Sequence, residues 1–84
     1  MPISTIHVNK ADNVAILLSS SSAGQVAMVD GEGILLLDAI EKNHKVALSE
    51  IAKGAPIIKY GHTIGAATQN IKKGQWVHIH NLGE

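Results

Sequence analysis

Ile71-Lys72-Lys73-Gly74-Gln75-Trp76-Val77-His78-Ile79-His80-Asn81 carries the pattern on which the rest of the chain is built. Its first half occurs twice more, as Ile40-Glu41-Lys42-Asn43-His44-Lys45-Val46 and Ile51-Ala52-Lys53-Gly54-Ala55-Pro56-Ile57. The shared unit is Ile, any residue, Lys, Gly or Asn, two variable residues, then a β-branched residue. Gly54 and Gly74 stand where a turn needs positive φ, and Asn43 is the non-glycine residue best suited to that place. The second half alternates. Trp76, His78 and His80 fall on one face of a predicted strand, with Val77, Ile79 and Asn81 on the other.

Working outward, short apolar runs separated by turn residues fill the chain. Strands are expected over Ser4–Val8, Val14–Leu18, Gln25–Val29, Ile34–Leu37, Lys45–Leu48, Pro56–Lys59, Thr63–Thr68 and Trp76–His80. Val14–Leu18 suits a strand buried on both faces or a short buried helix, and its β-branched start favours the strand. Lys10–Asn13 reads as a turn. Asp30-Gly31-Glu32-Gly33 is the clearest hairpin signal and fits a type I′ turn. Tyr60-Gly61-His62 also turns the chain, and Asp38–Lys42 and Ser49–Lys53 are long enough for single helical turns only. The expected fold class is therefore all-β, a barrel or set of long, curled hairpins. Gly65-Ala66-Ala67 has two meanings: close backbone packing, or the wall of a binding cleft.

Composition narrows the function. The 84 residues suffice for one domain, with no cysteine for disulfides or thiolate metal sites. Seven Lys balance seven acidic residues, there is no Arg, and Trp76 and Tyr60 are the only aromatic residues of the Phe/Trp/Tyr class. A nucleic-acid binder would carry a basic surplus and stacking residues, so nucleic acid is not expected as a partner. No apolar run approaches a membrane span, and the N-terminus lacks the basic-then-apolar pattern of a secretory signal. Cytoplasmic residence is the expectation. Zero net charge fits a domain in a complex or homo-oligomer, and equally one that is simply neutral.

The histidines are His7, His44, His62, His78 and His80. A His-only set with Asp, Glu or water suits zinc, iron or nickel, although no closed ligand motif is present. His78-x-His80 can approach one ion or ligand, or be a solvated strand face. His44 heads a strand next to a turn, where loop-built sites form; His62, at a turn, reads as a surface residue. The serine run at 19–22 has no elbow or neighbouring His for nucleophilic catalysis. The carboxylates, Glu84 included, read as turn residues or solvated charges. From the residues alone the chain is a small β domain with a possible His/Lys-lined cleft.

Four motifs carry a resemblance. His44-Lys45-Val46-Ala47-Leu48, Ile58-Lys59-Tyr60-Gly61, Ile64-Gly65-Ala66-Ala67-Thr68 and Trp76-Val77-His78-Ile79-His80-Asn81, with Asp12-Asn13-Val14-Ala15 upstream, resemble the SAF domain of the altronate and galactarate dehydratase family. The resemblance runs from about Ile6 to Leu82, with Asn43 where the family usually has Gly. It implies a β-clip fold of bent hairpins for a single domain over 1–84. It also implies either the small subunit or the N-terminal domain of a metal-dependent sugar-acid dehydratase, beside a large catalytic subunit. The chemistry implied is β-elimination of water from a polyhydroxy acid, with a divalent metal, Fe2+ in this family, held mainly by or shared with the large subunit. Sulfolactate sulfo-lyase, which eliminates sulfite, is the related alternative, and a non-catalytic β-clip module is a third. The residues implied are His44, His78 and His80 toward metal or substrate, and Lys45, Lys59 and Asn81 toward the substrate. The same residues could instead stabilise the interface with the large subunit.

Overall fold

The computed structural model describes residues 2–83; Met1 and the candidate carboxylate Glu84 lie outside the described residues. Nine strands carry the chain: β1 (Ile3–Ile6), β2 (Val14–Leu17), β3 (Val26–Val29), β4 (Glu32–Leu35), β5 (Lys45–Ala47), β6 (Pro56–Lys59), β7 (His62–Ala67), β8 (Trp76–Val77) and β9 (Leu82–Gly83). They form a curled six-stranded sheet, β4-β3-β1-β2-β5-β8, and a three-stranded one, β6-β7-β9. All pairings are antiparallel except β1 with β3. This is the all-β architecture of bent hairpins. No described residue is helical, so the single helical turns expected at Asp38–Lys42 and Ser49–Lys53 are replaced by bends and β-turns.

The turn unit read from the sequence occurs four times in space. In each copy an N–H closes onto the carbonyl three residues earlier: Gln25 on Ser22, His44 on Glu41, Ala55 on Ala52 and Gln75 on Lys72. The third residue of each turn has positive φ: Gly24 (93°), Asn43 (70°), Gly54 (88°) and Gly74 (90°). These are type II turns, which require that conformation. The copies pair through two bridges, Ser21↔Ile40 and Ile51↔Ile71. Ile40, Ile51 and Ile71 are buried, as are Ala27, Val46, Ile57 and Val77 at the last position of each unit. Each fully buried aliphatic side chain of this kind contributes about 1.5–3 kcal/mol over leaving it exposed. The first copy escapes notice because Ser21 stands in place of Ile, yet Gly24-Gln25 echoes Gly74-Gln75. Both glutamines turn their Oε1 back to the turn, accepting the N–H of Ser22 and of Lys72 at 2.6 and 2.5 Å.

The hairpins correspond in the same way. Asp30-Gly31 (φ 52° and 83°) joins β3 to β4, and Tyr60-Gly61 (φ 55° and 77°) joins β6 to β7. Two consecutive positive φ values in a two-residue loop define the type I′ turn. Tyr60 is an unusual residue there, and Asp12 explains how it is held: its Oδ1 accepts the Gly61 N–H at 2.7 Å. Asn13 completes the joint. Its side chain donates to the Pro56 carbonyl (2.9 Å) and accepts the Ile58 N–H (2.8 Å), where β6 carries a register shift. Asp12-Asn13 is thus more than a local turn; it bolts the large sheet to the second hairpin.

One of the two meanings of Gly65 holds, and one expected strand is shortened. Gly65 is a packing residue: a Cβ built on it would lie 2.2 Å from the Gly83 carbonyl oxygen, so β9 can approach β7 only because Gly65 has no side chain. The strand expected over Trp76–His80, β8, stops at Val77, three residues short. Asn81, 2% exposed, accepts the His78 N–H (2.9 Å) and donates to the Trp76 carbonyl (2.8 Å), folding 78–81 into a turn before β9. The period-two face of Trp76, His78 and His80 is therefore not a strand face.

Candidate functional site

The β5–β8 register builds the site. Lys45 lies opposite Val77 and Val46 opposite Trp76, so one further step sets His44 against His78. Cross-strand neighbours are close enough for side chains to touch, and diagonal ones remain within reach of an aromatic ring. The rings stack accordingly. His44 and His78 have centroids 4.5 Å apart at 18°, Trp76 and His78 5.4 Å at 12°, and His44 and Trp76 5.7 Å at 20°. His80, brought back by the 78–81 turn, tilts over Trp76 at 4.7 Å. Asp38 anchors the group by accepting the Trp76 backbone N–H at 2.9 Å. The Trp76 indole N–H donates to His44 Nδ1 at 3.1 Å.

Charge follows from position. Burial pushes His78 below its ordinary value, and His44, Lys45 and His80 add to the effect, so it is neutral at pH 7. Burial also lowers Lys45, and the neighbouring Lys59 lowers it further. The two lysines are therefore near enough to repel, and among the described residues neither has a carboxylate within ion-pair distance. Lys59 extends its ammonium over the Tyr60 ring, 5.0 Å from the centroid. The result is an electropositive surface flanked by stacked rings, suited to a carboxylate.

The histidines expected near a metal do assemble, but not as a chelate. Lone pairs of near-parallel imidazoles run side by side instead of converging, and His44 Nδ1 is taken by Trp76. Among the described residues no group of three His, Asp or Glu side chains is placed to hold a metal ion. The set does not fit a closed metal centre made by this chain. Asn81, expected to meet substrate, is buried and its amide is spent on His78 and Trp76; it shapes the site from beneath. His62 is exposed at the start of β7, and His7 lies outside the stack.

A curled all-β domain that gathers imidazoles at the β5–β8 pair, with Lys45 and Lys59 lacking carboxylate partners among the described residues, presents an anion-receptive edge. The profile of the altronate/galactarate dehydratase SAF domain matches residues 3–84, and the chain belongs to that family. It is 42% identical over 76 residues to altronate dehydratase of Escherichia coli (strain K12), covering 90% of this chain and 15% of that enzyme. With altronate dehydratase of Bacillus subtilis (strain 168) it shares 38% identity over 78 residues, 93% of this chain and 16% of the relative. Subunit alpha of (2R)-sulfolactate sulfo-lyase from Chromohalobacter salexigens is 42% identical over 45 residues, 54% of this chain and 48% of that subunit. The chain thus spans about one-sixth of the length of the dehydratases it matches.

Proposed function

We propose that this chain is the small subunit or N-terminal domain of a sugar-acid dehydratase, serving β-elimination of water from a polyhydroxy acid in the cytoplasm. The observation that carries the proposal is the pair Lys45 and Lys59, without carboxylate partners among the described residues, beside the stack of His44, His78 and His80. In it the lysines bind the substrate carboxylate, and the imidazoles face the substrate or the partner. The divalent metal implied by the family, Fe2+, is assigned to the larger catalytic part, because the imidazoles here form no ligand set for it. Proton abstraction next to the carboxylate belongs to that part as well.

Co-expression with a large catalytic chain of the same family tests the assignment. Dehydration of altronate or galactarate by the pair, and by neither chain alone, is the expected result. Full activity of the large chain without this one would sink the assignment. A small subunit of a sulfolactate sulfo-lyase is the second reading, favoured by the similarity to a relative of which this chain covers nearly half. Release of sulfite from sulfolactate by the same pair distinguishes it.

A further inference from the structure

The pairing of the turn units supplies an internal comparison. A pocket of about 430 Å3 lies over the Ile51↔Ile71 bridge, with Glu50 and Lys72 on its walls. A second, about 330 Å3, lies over the matching Ser21↔Ile40 bridge. The corresponding positions differ in chemistry: Ser20 and Ser21 replace Glu50 and Ile51, and Glu41 replaces Lys72. Only the second pocket adds His44, Trp76 and His78 as a further wall. Ser21 Oγ donates to the Ile40 carbonyl at 3.1 Å and keeps its lone pairs; Ser20 Oγ accepts the Lys42 N–H at 3.2 Å and keeps its hydrogen.

His44 sets the polarity of this pocket. Its Nδ1 accepts the Trp76 indole N–H, which only an unprotonated nitrogen can do, so the ring hydrogen sits on Nε2. That Nε2 lies 4.0 Å from Glu41 Oε2. The gap is too long for a direct hydrogen bond and short enough for one oxygen to bridge. A hydroxyl satisfies both sides, accepting from His44 and donating to Glu41. A carboxylate cannot, because it has no hydrogen for Glu41 and repels it.

We propose that the pocket over the Ser21–Ile40 bridge is a hydroxyl-binding subsite for a polyol chain, with His44 Nε2–H as donor and Glu41 as acceptor. Trp76 is the positioning residue that fixes the His44 tautomer. The subsite deepens the sugar-acid reading and rests on it for the choice of ligand. Its volume is at the small end of the roughly 300–1,000 Å3 typical of small-molecule sites.

The test is NMR on the chain itself, titrated with galactitol, a polyol without carboxylates, and with succinate, a dicarboxylate without hydroxyls. Galactitol is expected to shift signals of Ser20, Ser21, Glu41 and His44, and succinate to leave them in place. Ser21→Ile restores the residue of the sibling unit, preserves the bridge, and is expected to weaken galactitol binding about tenfold or more. Long-range 15N spectra of wild type should show His44 protonated on Nε2, and Trp76→Phe should shift it toward a tautomer mixture. The subsite is overturned if galactitol moves none of these signals, if Ser21→Ile binds it unchanged, or if wild-type His44 carries its proton on Nδ1. Because the titration needs no large chain, its outcome is separate from that of the co-expression experiment.

Discussion

His7 is held from both sides by acceptors: its Nδ1 pairs with Asp30 Oδ2 at 2.5 Å and its Nε2 with the Asp12 carbonyl at 3.1 Å. Two acceptors require two ring hydrogens, so the geometry selects the imidazolium. The Asp30 hydrogen bond is the main reason its pKa is raised, against the opposing effect of burial. A raised folded pKa gives stability that is fully present below the unfolded value, near 6.5, and lost as pH rises through the folded value. His7→Gln should therefore narrow its Tm deficit against wild type as the buffer is taken from acid to alkaline; a deficit independent of pH would refute the assignment. Asp12 behaves oppositely. Burial works against its charge, but the N–H groups of Gly61, Tyr60 and Asn9 outweigh burial and hold the carboxyl below its ordinary 3.8. Its contribution is present above that value and disappears as pH falls through the folded one. Asp12→Asn, which turns an acceptor into a donor facing those N–H groups, should lower Tm at pH 7 and flatten the acid limb of the Tm-versus-pH curve.

At the scale of elements, the turn units were readable wherever a single residue type enforces the conformation. Gly54 and Gly74 marked positive φ directly, and Asn43 did so by substitution. The copy at Ser21–Gly24 was hidden because its first position lacks Ile, although its Gly-Gln pair was in view. Glycines also separate two costs that circular dichroism melts can measure. Gly24 has positive φ and open space around it, so Gly24→Ala should cost about 1 kcal/mol from backbone strain alone. Gly65→Ala drives a Cβ into the Gly83 carbonyl and should cost more, about 1–3 kcal/mol, with loss of the β7–β9 pairing. Equal melting temperatures for the two variants would contradict the close-approach reading of Gly65. The end of β8 was illegible for a definite reason. Trp76–His80 alternates perfectly, but the Asn81 amide competes for the backbone and turns it at His78.

For the whole molecule, the proposed function places the contribution of His78 and His80 in an assembled enzyme and not in the stability of this domain. His80 is exposed and His78 half-buried, and neither supports the two buried clusters. His78→Ala and His80→Ala are therefore expected to leave the melting curve of this chain within about 0.5 kcal/mol of wild type. In the assembled enzyme they are expected to lower kcat/KM about tenfold or more. Normal kinetics in both variants would remove them from the site. Alone, the sequence determined the all-β class, three of the four turns, the first hairpin and the family, because glycine, asparagine and apolar alternation act on the backbone within a few residues. Only the tertiary structure decided that His44, Trp76, His78 and His80 stack face to face instead of converging on an ion. It alone also showed Asn81 and Asp12 to be braces and placed Ser21 and Glu41 beside His44. Those outcomes depend on strand register and on side chains meeting across long stretches of chain, and no local pattern encodes which ring faces which.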